Sequence, residues 1–128
     1  MNVKQEIGKI GEDLACKWIK SRGFKIIDRN YRQKYGEIDI ISIAPDKSLV
    51  FFEVKTMRKS SGIISHSPED QLTQAKLIKL QRICYLYANA HQKLFSDKVG
   101  WRIDLLAIDL LSKNFWRWKH QIRHYENI

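Results

Sequence analysis

No apolar run in this sequence approaches the ~20 residues that a bilayer-spanning helix requires, so no membrane span is predicted. An apolar signal-peptide core is also lacking, because charged side chains stand at positions 4, 6, 9, 12 and 13. Cysteine is scarce, and without an export signal we expect the two distant thiols, Cys16 and Cys84, to stay reduced. These absences predict a cytoplasmic protein that has no disulfide.

Several chemical signatures are missing as well. The sequence has no serine or cysteine nucleophile elbow and no glycine-rich phosphate loop. Its four histidines do not combine with the cysteines in a zinc-binding spacing. With no internal repeat, linker or low-complexity tract, the 128 residues are predicted to form one domain.

Acidic residues are outnumbered. The 23 lysines and arginines exceed the 14 acids, which gives a formal net charge of +9. A basic excess on a small domain favours polyanionic partners, because each neutralised phosphate releases counterions. Nucleic acid is therefore the leading partner, and an anionic membrane surface or a ribosomal surface remains the alternative.

The first segment with regular periodicity is residues 3–21. Apolar residues at positions 7, 10, 14 and 18 form one stripe at the helical period, and Gly23 follows as a stop signal. Glu12 lies on the shoulder of that stripe. Gly8 and Gly11 each cost a helix roughly 1 kcal/mol relative to alanine. We therefore expect the helix backbone to pack closely against a sheet or a ligand there.

The rest of the chain alternates between strand and helix patterns. Strands are predicted at 24–27, 37–44, 49–56, 101–111 and 115–125, and a second helix at 68–93. Turns are predicted at 45–48 and 112–114, a polar loop at 57–67, and a loop or sheet edge at 28–36. The apolar side of the second helix comprises Leu72, Leu80, Ile83, Leu86 and Tyr87. The order α-β-β-β-α-β-β predicts an α/β fold, a mixed sheet flanked by helices with the last strand at its edge.

Two of these strands carry carboxylates among apolar residues. Strict alternation places Asp39 on the face of Ile41 and Ile43, with Ile38 and Ile40 on the other face. In the next strand, Phe51, Glu53 and Lys55 share one face. Apolar residues on both faces predict strands that are covered on both sides. Carboxylates there are costly unless a cation or a hydrogen-bond network compensates them.

The register of this hairpin decides whether the carboxylates meet. If the loop holds an odd number of residues, Asp39 lies opposite Glu53 with Cβ atoms ~5 Å apart, where a Mg²⁺ ion would relieve their repulsion. Lys55 could then orient or deprotonate an attacking water, or stabilise the charge on the phosphorus centre. An even loop would separate them. The spacing also occurs by chance, and a Glu–Lys pair near a strand end is commonly a solvated surface pair.

A set of short motifs extends over nearly the whole chain. They comprise Gly8-x-x-Gly11-Glu12-x-x-Ala15, Arg29-Asn30, Gly36-Glu37-Ile38-Asp39-Ile40-Ile41, Phe52-Glu53-Val54-Lys55, Trp101-Arg102-Ile103-Asp104 and Ile122-Arg123-His124-Tyr125-Glu126-Asn127. Together they resemble the YraN-like family of small bacterial proteins. That family is predicted to belong to the restriction-endonuclease-like, PD-(D/E)xK superfamily and is similar to archaeal Holliday junction resolvases. The resemblance implies a restriction-endonuclease-like mixed sheet between helices.

The resemblance also implies an active site. Its helix glutamate, strand aspartate and E-x-K motif fall on Glu12, Asp39, Glu53 and Lys55. Asp39, Glu53 and the backbone carbonyl of Val54 would bind Mg²⁺, with Mn²⁺ as a substitute. Further nucleic-acid-binding positions near this site would be Gln74 and Lys76.

Basic residues elsewhere adjoin the same segments. A phosphate-contacting surface is predicted from these residues, with scattered solubilising charge as the alternative. They are Arg29, Arg32, Lys34, Arg58, Lys59, Lys76, Lys79 and Arg82. The run Trp116-Arg117-Trp118-Lys119 would suit base stacking. An edge strand with one buried tryptophan explains that run equally simply.

Three functional hypotheses follow. The first is a Mg²⁺-dependent endonuclease acting on DNA, including branched or structured DNA. The second is a non-catalytic nucleic-acid-binding or ribosome-associated module that retains the nuclease fold, and the third is a protein–protein adaptor. The four-residue constellation favours the first, because a binding module needs no acidic cluster. A homodimer would suit the cutting of two strands.

Overall fold

The computed structural model describes residues 1–59, 67–115 and 117–128, which contain two α-helices and five β-strands. They are α1 (Val3–Ser21), β1 (Lys25–Gln33), β2 (Gly36–Ile43), β3 (Leu49–Arg58), α2 (Gln74–Ala90), β4 (Trp101–Asn114) and β5 (Arg117–Tyr125). Short 3₁₀ turns at Pro68–Gln71 and Gln92–Leu94 flank α2. The predicted α/β class and the order α-β-β-β-α-β-β are confirmed. Within these residues, neither helix combines the length and apolarity needed to cross a membrane.

The five strands form one mixed sheet in the order β1-β2-β3-β4-β5. The β3–β4 pair is parallel and the other three pairs are antiparallel. One face packs on α1 through a cluster that includes Ile19 and Phe52. The opposite face packs on α2 through a cluster that includes Phe51 and Ile83. The adjacent pair Phe51 and Phe52 thus points to opposite sides, which confirms that β3 is covered on both faces.

Helix α1 begins and ends where its sequence predicts. Asn2 forms a capping box with Gln5 at its start, and Gly23 adopts a φ of +85° just past its end. Gly11 lies against β3 so closely that a Cβ atom there would overlap the Thr56 side chain. The expected close packing is therefore confirmed at Gly11. At Gly8, by contrast, a Cβ atom would meet nothing within 4 Å.

The predicted helix at 68–93 is not continuous. Ser67 and Pro68 start only a 3₁₀ turn, and a new N-cap at Thr73, whose hydroxyl accepts from the Lys76 amide at 3.2 Å, starts α2. The turn ends at Leu72, whose backbone is extended (φ −94°, ψ 91°), while the Glu69 side chain within the turn bonds to Arg123 of β5. The predicted apolar side holds for Leu80, Ile83 and Tyr87. It is wrong for Leu86, which is 42 % exposed because it lies one residue, or about 100°, from buried Tyr87.

Three strands extend further than predicted. Strand β3 continues to Arg58, so the loop predicted at 57–67 begins later, and residues 60–66 of it lie outside the described part of the chain. The basic stretch after residue 27 continues β1 to Gln33, so the edge interpretation of that stretch is correct. The predicted turn at 112–114 is wrong, because those residues continue β4 and pair with β5. The chain reverses instead after Asn114, where Phe115 adopts a positive φ of 57°. The prediction that the last strand lies at the sheet edge is confirmed.

Candidate active site

The β2–β3 hairpin brings the predicted acidic residues together. Its ladder runs from Ile43↔Leu49 to Ile40↔Phe52, and the connecting segment 44–48 has an odd number of residues. The next position in that register places Asp39 opposite Glu53. The ladder stops there because the Asp39 carboxylate accepts the Val54 amide hydrogen at 2.8 Å.

The strict alternation expected along β2 is wrong at this point. Ile38 packs in the same α2-side cluster as Ile41, while Ile40 packs on the α1 side. The strand departs from regular geometry where Asp39 leaves the ladder and where its β1 neighbour Asn30 has a φ of +54°. As a result, Asp39 does not share the face of Ile41 but lines a cavity on the α1 side.

Two cavities adjoin these strand ends. The larger, of about 560 Å³, lies on the α1 side, and its lining includes Glu12, Asp39, Val54 and Lys55. The smaller, of about 280 Å³, lies on the α2 side, and its lining includes Glu53 and Lys55. Lys55 borders both cavities. The structure therefore brings Glu12, Asp39, Glu53, Val54 and Lys55 to one end of the sheet.

Two carboxylates of this site, Glu53 and Glu12, are destabilised in their charged forms. Burial, and then the negative charge of Asp39, raise the pKa of Glu53 to about 9, because Lys55 only partly opposes them. The Glu53 side chain is 14 % exposed, and its Oε1 lies 3.5 Å from the Lys55 ammonium. Burial, and then Asp39, also raise the pKa of Glu12. These shifts indicate more acidic groups than the local cations balance.

The side chain of Glu12 is a second feature of this site that is typical of a ligand-binding site. Its Oε1 is buried and has no hydrogen-bond partner among the residues that the structure describes. A buried carboxylate oxygen without a partner costs free energy, so such an atom usually meets a bound ion, water or substrate. Position 12 is held there by the close contact of Gly11 with β3.

The oxygen donors at this site fit a hard divalent cation. Within residues 1–59, 67–115 and 117–128, no three Asp, Glu, His or Cys side chains converge as a ready-made ligand group. The available donors are Asp39, Glu53 and the carbonyl of Val54, with the unpartnered oxygen of Glu12 nearby. Few protein donors with room for water are typical of Mg²⁺ sites, so the residues fit that ion.

Among the predicted nucleic-acid contacts, three line the cavities. Arg58 borders the larger cavity and Lys76 the smaller one. The Lys76 ammonium donates to the Gln71 carbonyl at 3.1 Å. Lys79 joins Lys76 in the smaller cavity, whereas Gln74 lines neither.

The other predicted contacts lie outside both cavities. Arg29 pairs with Asp13 at 3.0 Å and Arg32 with Glu37 at 3.5 Å. Lys34 is exposed at the end of the β1–β2 hairpin. Lys59 lies 3.4 Å from Asp109, a residue of β4 that is fully buried. The charge of Lys59 is therefore partly neutralised within the protein by Asp109.

Sequence reasoning missed the network that positions the wall of the larger cavity. Buried Asp109 accepts from Arg123 at 2.5 Å, and Arg123 also donates to both oxygens of Glu69 at 2.6 and 2.7 Å. This network fixes the 3₁₀ turn whose last residue, Gln71, lines the larger cavity. One feature of the sequence could have indicated this network, an aspartate inside an otherwise apolar strand, Ala107-Ile108-Asp109-Leu110.

A second buried aspartate anchors the end of the chain. Asp104 accepts from Arg102 at 3.0 Å, from the ring of His124 at 2.8 Å and from the Asn127 amide at 3.0 Å. These residues belong to the motifs at 101–104 and 122–127. They lie away from the two cavities that contain the acidic residues, and their contacts hold β5 and the last residues on the sheet.

Comparison with known proteins places the chain among related sequences. The model of the uncharacterised protein family UPF0102 matches residues 11–108. A UPF0102 protein of Alkaliphilus oremlandii is 37% identical over 130 residues, which cover 98% of each chain. A UPF0102 protein of Clostridium botulinum is 39% identical over 111 residues, or 86% of this chain and 85% of the relative. One from Campylobacter concisus is 35% identical over 109 residues, or 84% and 88%.

Proposed function

The chain belongs to the uncharacterised protein family UPF0102, and from that premise we propose that it is a metal-dependent endonuclease that hydrolyses phosphodiester bonds of DNA. Membership confirms the resemblance to the YraN-like family, whose description leaves the activity open. The proposal therefore depends on the site. Its central support is the convergence of three half-buried acids, Glu12, Asp39 and Glu53, beside Lys55.

The metal would be held by Asp39, Glu53 and the carbonyl of Val54. Mg²⁺, or Mn²⁺ in its place, supplies a Lewis acid for the phosphoryl group and a lower pKa for bound water. Two acids and one carbonyl leave coordination positions for water and for a phosphate oxygen. The unpartnered oxygen of Glu12 accepts a hydrogen bond from water and orients it in the cavity.

Lys55 supplies the remaining catalytic charge. Its side chain is 21 % exposed and lies between the two cavities, 3.5 Å from Glu53. From there its ammonium donates to a phosphate oxygen and stabilises negative charge as the phosphorus–oxygen bond breaks. Arg58 and Lys76, on either side, bind the neighbouring phosphates.

A cleavage assay tests this proposal. Linear duplex, branched and single-stranded DNA are incubated with Mg²⁺ or Mn²⁺ and with wild type, Asp39→Ala or Asp97→Ala. Asp97 is an exposed aspartate before β4 and serves as the matched control. We expect cleavage by wild type and by Asp97→Ala, and a loss of at least about 100-fold in Asp39→Ala. No cleavage of any substrate by wild type at ample protein and metal would overturn the proposal.

A non-catalytic nucleic-acid-binding module is the second candidate. The contact between Glu53 and Lys55 favours it, because that lysine compensates part of the glutamate's charge without a metal. Under this alternative, salt-sensitive binding survives the double substitution Glu53→Gln/Lys55→Gln, and no substrate is cut. Under the nuclease proposal, the same variant binds DNA in the absence of metal but gains no affinity when metal is added.

A further inference from the structure

The last two strands project beyond the rest of the sheet. Pairing between β3 and β4 ends at Arg58↔Leu110, but β4 continues to Asn114. Over this extension its partner among the described residues is β5, through pairs that end at Asn114↔Arg117. We call residues 111–115 and 117–120 the β4–β5 ribbon.

The ribbon is exposed and carries charge of one sign. Residues 111–115 are all exposed, and Phe115 at the turn is 88 % exposed. The sequence has no aspartate or glutamate from 110 to 125. Lys113, Arg117 and Lys119 form no ion pair with any residue that the structure describes. These cations are therefore free to meet an external anion.

Trp118 anchors the ribbon to the sheet and to the candidate active site. It is half-buried against the α1-side cluster. The Arg58 guanidinium lies 5.4 Å from the centre of its ring, and the Lys113 ammonium 6.0 Å. Since Arg58 also lines the larger cavity, the contacts of Trp118 with Arg58 and Lys113 connect the ribbon to the cavity that contains Glu12 and Asp39.

We propose that the β4–β5 ribbon is a docking surface for duplex DNA, lying in the major groove beside the bond to be cut. A two-stranded ribbon fits the major groove of B-form DNA, whereas the deep and narrow major groove of an RNA duplex excludes it. Lys113, Arg117 and Lys119 contact the phosphates that border the groove. The position beside a cut bond depends on the proposed function, but the ribbon's binding of DNA does not.

Binding without metal tests the ribbon separately from cleavage. A labelled 20-base-pair DNA duplex, and an RNA duplex of the same sequence, are titrated by fluorescence anisotropy in EDTA over a range of salt concentrations. The test variant is Arg117→Gln/Lys119→Gln. The control is Lys93→Gln/Lys98→Gln, which removes the same charge from exposed residues before the opposite end of β4.

We expect the ribbon variant to bind duplex DNA about ten-fold more weakly, with a salt slope smaller by about 2, because two phosphate contacts are lost. The control should keep the wild-type slope. We also expect wild type to prefer DNA to RNA, and the ribbon variant to lose most of that preference. Equal affinities and slopes for the two double variants would overturn the proposal.

Footprinting on the wild-type protein tests the same surface without any substitution, so its result does not depend on whether a variant folds. Acetylation of lysines is measured by mass spectrometry with and without the DNA duplex. Lys113 and Lys119 should be protected by DNA, while Lys93 and Lys98 remain reactive. Protection of all four alike, or of neither ribbon lysine, would contradict docking at the ribbon.

Cleavage by the same preparations separates the two proposals. Wild type that binds through the ribbon but never cuts DNA would refute the nuclease proposal and leave the docking surface in place. Wild type that cuts DNA, together with a ribbon variant that binds and cuts equally well, would refute the docking surface alone.

Discussion

Replacing Glu53 with glutamine is expected to stabilise the metal-free protein and to remove its response to divalent cations. Glu53 is 14 % exposed and shares its end of the sheet with Asp39, so its ionisation is opposed by burial and by a like charge. Glutamine is nearly the same size and stays neutral. The substitution therefore removes a group whose ionisation is unfavourable there and is only partly compensated by Lys55.

The size of the expected stability gain follows from the linkage between protonation and folding. With a pKa raised from 4.5 to about 9, folded Glu53 keeps a proton that the unfolded chain releases. Stability therefore falls as pH rises from about 4.5 to about 9. Each pH unit in that window corresponds to ~1.4 kcal/mol, so the upper limit at pH 7 is roughly 3 kcal/mol. Because glutamine also leaves the Lys55 ammonium without its carboxylate partner, we expect a smaller net gain of about 1–2 kcal/mol in Glu53→Gln.

Urea denaturation in EDTA from pH 5 to 8.5 measures this effect. Glu37→Gln, at an exposed glutamate of β2, is the control and should behave as wild type. Stability of wild type should fall over this range, and that of Glu53→Gln should fall less. Added Mg²⁺ should then stabilise wild type and leave the variant unchanged. A variant that is less stable than wild type in EDTA would show that the Glu53–Lys55 pair supports the fold, and would refute the reasoning.

Three further predictions concern residues that are not among the proposed metal ligands. Gly11→Ala should lose about 2–4 kcal/mol of stability in urea denaturation, because its methyl group meets the Thr56 side chain, and a neutral result would contradict that packing. Gly8→Ala, in open space on the same helix, should be neutral or up to about 1 kcal/mol more stable, and serves as its control. Arg123 lowers the pKa of Glu69 to about 2, so wild type should lose stability as pH falls from about 4.5 to about 2. Glu69→Gln should flatten that acid-side slope, and an unchanged slope would exclude this pair as its cause.

Much of the hairpin could be predicted from the sequence because its signals are local. The turn chemistry of 45–48 and the flanking apolar runs define a register that brings Asp39 towards Glu53. Helical periodicity similarly placed Glu12 beside buried positions of α1. Period, turn composition and loop parity depend on few neighbouring residues, so they are readable without tertiary contacts.

The features that escaped prediction depend on contacts between distant residues. Arg123 and Glu69 are 54 positions apart, and their bond ties β5 to the 3₁₀ turn that the sequence predicted to be the start of a long helix. The segment 112–114 has turn chemistry, yet pairing with β5 extends it as a strand. The departure of Asp39 from alternation similarly requires the Val54 amide of the next strand.

The most direct test of the proposed metal site is a crystal structure of the protein grown with Mn²⁺, with data collected to reveal the anomalous signal of the ion. A peak within coordination distance of Asp39, Glu53 and the Val54 carbonyl is the predicted result. The Lys55 ammonium should then have moved from Glu53 towards the space where phosphate binds. No peak at these residues under saturating Mn²⁺, with the 3.5 Å Glu53–Lys55 pair intact, would contradict the proposal.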